Sequence, residues 1–243
     1  VWLNTDFISP NMDSISLASG ALLPIGNLAV TTTYSDAGVG IDMSSVTITL
    51  EKWNGTIWWS NIATTYLVWV PIITTGTGVH SLAGIPYGKY RFRTYVSDLA
   101  GNTSSIERIF YVDAIEWNIS SDSYDIGILP TDTEVFGTGT MTITVKTIGA
   151  GFTIKMTSIN TLVKGTDTIN YWNGTTWWWY DSGGSTLGNP AFGITVATES
   201  NNINLNGLKN TYTYTLKYWA KINSEIAAWL YDGSVKMDII AKY

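Results

Sequence analysis

The sequence predicts an all-β protein built from two tandem antiparallel β-sandwiches, and three observations predict it. Charged residues make up only 13% of the chain while aromatic residues match them at 13%, so charge-dense helices are not expected. Thr, Ser, Asn and Gly fill the polar positions instead, as strands and turns favour. Apolar and polar residues alternate with period two in several stretches, which puts one set of side chains on a core face. Finally, 243 residues suffice for two ordinary domains, and one aromatic hairpin pattern occurs in each half. It reads Lys52-Trp-Asn-Gly-Thr-Ile-Trp-Trp59 in the first and Tyr171-Trp-Asn-Gly-Thr-Thr-Trp-Trp178 in the second. The expected division is an N-terminal strand or linker over 1–10, a first sandwich over 11–113 and a second over 114–243.

Within the first sandwich, residues 84–113 carry the clearest pattern. Tyr90, Phe92, Thr94 and Val96 alternate with Lys89, Arg91, Arg93 and Tyr95. Asp98-Leu-Ala-Gly-Asn102 supplies turn chemistry, and Ile106 to Val112 returns as a second strand. Gly88-Lys89-Tyr90 fits a tyrosine corner, in which a Tyr hydroxyl bonds back to the preceding loop. Upstream, Ile15-Ser-Leu17 and Leu28 to Tyr34 read as early strands separated by Pro24-Ile-Gly26. Val46, Ile48 and Leu50 face inward, with Thr47, Thr49 and Glu51 outward. Asn54-Gly55 is a hairpin signal, because both residues tolerate positive φ. Thr64 to Ile73 is apolar and β-branched, with Pro71 pushing it toward a sheet edge. Roughly seven such strands fit an immunoglobulin-like sandwich. On its G-x-Y strand and D-x-A-G-N turn, this half resembles the last hairpin of a bacterial immunoglobulin-like surface repeat. That resemblance implies an extracellular, cell-surface location.

The second sandwich opens with Tyr124-Asp-Ile-Gly127. Met141, Ile143 and Val145 then alternate with Thr140, Thr142 and Thr144, Gly149-Ala-Gly151 turns the chain, and Phe152, Ile154 and Met156 form the returning core face. Tyr212, Tyr214, Leu216 and Tyr218 share a later face, and Val235, Met237, Ile239 and Ala241 a last one. Three places resemble the spore-coat-U-like and archaic pilin β-sandwiches. They are the Tyr-Asp-x-Gly opening, Gly-Thr-x-x-Ile-x-Val followed by Gly-Phe-Thr-Ile, and Ala-x-x-Tyr-x-Gly-x-Val at residues 228–235. The chain departs from that family in having no cysteine and in placing Trp229 where Gly is usual. In such pilins an N-terminal strand of one subunit completes the sandwich of the next. The resemblance makes Val1, Trp2, Leu3 and Phe7 the candidate donor-strand residues. Other readings of 1–10 stand beside it: the last strand of a preceding repeat, a first strand of its own domain, or a frayed end. A chain beginning at Val1 is expected to be a processed form or a piece of a longer one.

Composition also excludes several chemistries. Net charge is −6 with no Lys/Arg-rich run, which lacks the basic footprint of nucleic-acid binding. No apolar run approaches the roughly 20 residues of a membrane helix. Without cysteine, thiolate catalysis and disulfides are out of reach. His80 is the only histidine and has no nucleophile motif beside it, so a strand or loop role is expected. Glu51, Glu107, Glu116, Glu134, Glu199 and Glu225 show no spacing that pairs them across a cleft. No catalytic residue, cofactor or metal site is therefore assigned. Asp36 with Asp42, or Asp98 with Asn102, offers loop oxygens for calcium, but turn formation accounts for both and neither has a ligand spacing.

The tryptophans are the strongest functional lead. Trp58 and Trp59 are adjacent, as are Trp177, Trp178 and Trp179. Strand neighbours point to opposite faces, so one indole of each run should point outward if one face is solvated. Three readings are open: a hairpin folded over the sandwich, a subunit contact, or a sugar-stacking platform. The expected function is a non-enzymatic extracellular structural or adhesive protein, a subunit of a bacterial surface filament or stalk assembled by β-strand pairing. Its partners would be other copies of itself or adjacent surface repeats. The alternative is a carbohydrate-binding surface module that uses exposed tryptophans on surface glycans.

Overall fold

The computed structural model describes residues 6–59, 72–74, 76–120, 135–136, 140–158, 162–164, 167–169, 176–181, 186–188, 194–221 and 235–243. The protein is all-β, with several antiparallel sheets and no helix among the described residues. It divides into two compact units: residues 1–114 with 203–209 and Tyr243, and residues 115–202 with 210–242.

The first unit holds β1 (Asn11–Ile15), β2 (Ala21–Pro24), β3 (Leu28–Ser35), β4 (Ile41–Trp53), β5 (Trp58–Trp59), β6 (Ile72–Thr74), β7 (Thr77–Leu82), β8 (Gly88–Asp98) and β9 (Thr103–Asp113). One sheet runs β1-β3-β7-β6 and the other β2-β9-β8-β4-β5. In immunoglobulin lettering these are A-B-E-D and A′-G-F-C-C′, so the unit is an immunoglobulin-like sandwich. Among the described strands β6 is the last of its sheet; Pro71 and most of the strand expected over 64–73 lie outside the described residues. Three early strands are present where the sequence suggested two. Ala21–Pro24 pairs parallel with β9, from Ala21 opposite Phe110 to Pro24 opposite Asp113. A four-residue parallel edge strand has no hairpin turn to announce it, and Pro24 at its end reads as a breaker.

The core lies between the two sheets. Val30 of β3, Leu50 of β4, Leu82 of β7, Tyr90 and Phe92 of β8 and Phe110 and Val112 of β9 meet there with Leu17 and Ile85. Tyr34, Val46 and Val96 form a second cluster. Each large apolar side chain so buried contributes about 1.5–3 kcal/mol. Strand β8 follows the predicted alternation throughout, with Tyr90, Phe92, Thr94, Val96 and Asp98 buried and the residues between them half-buried. Tyr90 closes the expected corner: its hydroxyl donates to the Pro86 carbonyl at 2.6 Å.

His80 is a core residue of β7, fully buried and tilted against Phe92 with ring centroids 5.8 Å apart. Its Nε2 lies 3.4 Å from Thr32 Oγ1, Thr32 bonds Tyr34 Oη at 2.5 Å, and Tyr34 Oη reaches Thr94 Oγ1 at 3.1 Å. This polar chain joins both sheets. Its closeness explains Gly78, where a methyl group would stand 2.9 Å from Thr32 Oγ1 and 3.0 Å from His80 Nε2. The His80 Nδ1 has no hydrogen-bond partner among the described residues.

The second unit holds β10 (Glu116–Ile119), β11 (Val135–Phe136), β12 (Met141–Thr147), β13 (Gly151–Ser158), β14 (Leu162–Lys164), β15 (Asp167–Ile169), β16 (Thr176–Asp181), β17 (Thr186–Gly188), β18 (Ile194–Glu199), β19 (Asn210–Lys221) and β20 (Val235–Lys242). Its sheets run β10-β12-β19-β16-β17, with β11 also on β19, then β18-β13-β20, and the pair β14-β15. Met141, Ile143 and Val145 are buried, as are Phe152, Ile154 and Met156. The glycine turn between β12 and β13 carries the chain from one sheet to another rather than closing a hairpin. Phe152 packs edge-on against Tyr212 at 5.3 Å and Tyr214 at 6.3 Å, so β13 and β19 share a core. The opening at residues 124–127 lies outside the described residues.

Two outcomes are expected. Tyr90→Phe should lower the stability of the first unit by about 1 kcal/mol with an unchanged denaturant slope, read from urea midpoints. Burial pushes the His80 pKa down from 6.5 to about 4. The unfolded chain therefore takes up a proton near pH 6.5 that the folded chain refuses until about pH 4. The associated stability is complete above pH 6.5 and is lost as pH falls toward 4, by as much as about 3 kcal/mol. Urea midpoints of wild type and His80→Phe should converge across that window; a constant difference from pH 7 to pH 4.5 would refute the assignment.

Candidate functional site

Two constellations in the first unit rise above scaffolding. The first is the outward face of strands β4, β5, β8 and β9. Trp53 and Trp58 pair across the β4–β5 hairpin, with centroids 5.3 Å apart at 60°. Asn54 shapes that hairpin, its Oδ1 accepting from Thr56 N at 3.0 Å and Ile57 N at 2.9 Å. Arg91, which opposes Glu51, stands 4.6 Å from the centre of the Trp58 ring, and Lys89 lies 5.5 Å from Trp53 and 5.7 Å from Trp58. Arg91 is itself ion-paired to Glu51, and Arg93 donates to Glu107 at 2.6 Å. Trp58 is thus half-buried under the protein's own cations, an arrangement that suits packing and leaves little ring for a ligand. Trp59 faces the other way and is 60% exposed, beside Ile57 at 58%. Of the two indoles of this run, Trp59 is the solvent-exposed one, although Trp58 is the one on the face that carries Arg91 and Glu51.

Trp177, Trp178 and Trp179 lie on β16, in register with Ala220, Trp219 and Tyr218 of β19; their side chains are outside the described part. Val1, Trp2 and Leu3 also lie outside the described residues. Phe7 is 86% exposed. The residues around it are tied down: Asn102 Nδ2 donates to the carbonyls of Asp6 (3.0 Å) and Ile8 (3.3 Å), and Ser104 Oγ donates to that of Pro10 (2.5 Å).

The second constellation is where that segment arrives. Asp6, Asp36 and Asp98 each bring one carboxylate oxygen within 4.8 Å of the other two. They come from the N-terminal segment, the β3–β4 turn and the end of β8. Backbone donors hold each in place. Asp6 accepts from Ile8 N and Val39 N, both at 2.9 Å. Asp36 Oδ2 accepts from Gly38 N at 3.1 Å and Gly40 N at 2.6 Å. Asp98 Oδ1 accepts from Ala100 N and Asn102 N at 2.8 Å, and its Oδ2 from Asn102 Nδ2 at 2.7 Å. Burial pushes the Asp98 carboxyl up, but the Asn102 side chain and the N–H groups of the turn hold it below the ordinary carboxylate value. A methyl group at Gly38 would overlap Asp6 Oδ2, so only glycine permits this approach. Asp36 Oδ1 is buried without a hydrogen-bond partner among the described residues. Among the described residues, no Lys or Arg forms an ion pair with any of the three. Two unit charges at that separation repel by about 3 kcal/mol at an effective dielectric constant of 20.

Sequence reasoning named Asp36 and Asp98 separately, with Asp42 and Asn102 as partners. Asp42 instead caps its own turn, bonding Ser44 N at 3.0 Å and Ser44 Oγ at 2.6 Å. Asp6 was missed, because nothing local marks a residue 30 positions before Asp36 and 92 before Asp98.

No family model matches the chain, and no curated protein does. Solved structures with some likeness include the CsuC–CsuE chaperone–tip adhesion subunit complex of Acinetobacter baumannii archaic pili, at 10% identity and a TM-score of 0.30, covering 93% of this chain and 100% of that one. The complex of Dpr2 Ig1-Ig2 with DIP-Theta Ig1-Ig3 gives 10% identity and 0.36, covering 96% and 65%. A carbohydrate-binding module of the β-sandwich superfamily gives 11% identity and 0.26, covering 99% and 97%. Likeness at this level bears on neither ancestry nor function. The two tryptophans of the first hairpin should separate in mutagenesis: Trp58→Ala should cost about 1–3 kcal/mol of stability, and Trp59→Ala less than about 0.5, measured by urea unfolding.

Proposed function

We propose that this chain is a non-enzymatic, extracellular structural or adhesive protein, a subunit of a bacterial cell-surface filament or a segment of a stalk. Assembly occurs by β-strand pairing between copies. The observation that carries the reading is the edge of β20. Eight consecutive residues pair in unbroken register with β13, from Val235 opposite Ser158 to Lys242 opposite Gly151. Among the described strands, none pairs along the other side of β20. Its outward N–H and C=O groups are a template for a partner strand. A head-to-tail contact of this kind does not close on itself and so propagates a filament. Val1, Trp2, Leu3 and Phe7 are the donor candidates, and the exposed Phe7 supports that role. The burial of the single histidine in the core supports the non-enzymatic reading.

The anchoring of Asp6, Ile8 and Pro10 sets where the test must cut. Removing residues 1–5 spares those hydrogen bonds. Negative-stain electron microscopy should show filaments of the whole chain and dispersed particles of the truncated one, at equal melting temperatures. A truncated chain that still polymerises, or a whole chain that never does, would sink the donor-strand mechanism.

A second reading, a carbohydrate-binding module, is favoured by one observation, the exposed Trp59 beside Ile57. It predicts oligosaccharide quenching of indole fluorescence that Trp59→Ala abolishes and Trp58→Ala leaves in place.

A further inference from the structure

We infer that Asp6, Asp36 and Asp98 form a binding site for a divalent cation of the calcium type, which fastens the N-terminal segment to the first unit. The inference stands on the geometry of that unit and does not rest on the filament reading. Three carboxylates converge from three separate parts of the chain, with one oxygen of each within 4.8 Å of the others. A calcium ion holds oxygen ligands at about 2.3–2.6 Å, so no two of its ligands stand more than about 5.2 Å apart, a bound that the three oxygens meet. The donor set is all oxygen, without His or Cys, which suits a hard cation rather than zinc or copper.

Two further observations point to a ligand rather than to a cluster of solvated charges. Asp36 Oδ1 is buried and accepts no hydrogen bond among the described residues, although every other oxygen of Asp36 and Asp98 accepts at least one. A buried carboxylate oxygen without a donor is costly unless something positive stands beside it. Gly38 supplies the second, since any side chain there would displace Asp6 from the group. Backbone N–H groups already hold all three carboxylates in position, so little reorganisation accompanies binding. Leu99 N donates to Gly40 O at 3.0 Å, which clamps the β3–β4 and β8–β9 turns together beneath the site.

The consequence is local. A bound ion would couple Asp6 to both turns. A ligand that binds only the folded state also raises melting temperature with its concentration.

The test is calorimetric titration of the chelator-treated whole chain with CaCl2, and separately with MgCl2, beside thermal melts with each salt. One saturable calcium site and a melting temperature that climbs with calcium are expected. Asp36→Asn should weaken calcium binding at least about tenfold. In chelator the same variant should melt at or above the wild-type temperature, because it removes a repelling charge, which also shows that it folds. Asp6→Asn should behave alike. Absence of saturable heat and of any melting shift would overturn the site, as would full calcium affinity in Asp36→Asn. Occupancy by Mg2+ and not by Ca2+ would overturn the calcium assignment.

Discussion

Strand β8 is paired along both sides, with β4 from Ile41–Asp98 to Lys52–Tyr90 and with β9 from Gly88–Val112 to Ser97–Thr103. A strand held by hydrogen bonds on both flanks cannot slip by one residue without turning every side chain to the wrong face. That constraint fixes much else in the first unit. It buries Tyr90, whose hydroxyl then secures the loop before it. It aligns Arg91 and Arg93 on the outer face, where Glu51 and Glu107 meet them. It also ends at Asp98, which caps the turn that receives the N-terminal segment.

The division of the outer face follows from register rather than from residue type. Arg91 stands over Trp58 because Glu51 opposes Arg91 and Trp53 opposes Trp58 two rungs along, which puts them on one face. The aromatic cluster is therefore satisfied by the protein's own cations. Polar groups in the core are handled differently. Thr32, Tyr34, Thr94 and His80 satisfy one another across the two sheets, with His80 Nδ1 left over. One buried imidazole without a second partner makes the core intolerant of acid.

What the sequence disclosed depended on distance along the chain. The β8–β9 hairpin, the Asn-Gly turn at Asn54 and the alternation of Met141, Ile143 and Val145 are local patterns, and each could be read from a few neighbouring residues. The parallel strand at Ala21 could not, since its partner Phe110 lies 89 positions away and no turn joins them. Nor could the meeting of Asp6, Asp36 and Asp98, where each residue alone looks like ordinary turn chemistry. The tryptophan pairs fall between these cases. Period two established that Trp58 and Trp59 face opposite ways, but which of them meets solvent depended on where Arg91 landed.

The parallel pairing of β2 with β9 has a mechanical consequence. The two strands run in the same direction near opposite ends of the first unit's chain, Ala21 with Phe110 and Pro24 with Asp113. Tension applied to the leading end of β2 and the trailing end of β9 pulls them along each other in opposite senses. Their hydrogen bonds are then loaded together in shear rather than peeled open one at a time. A short edge strand of four residues thereby places a tensile clasp across the unit.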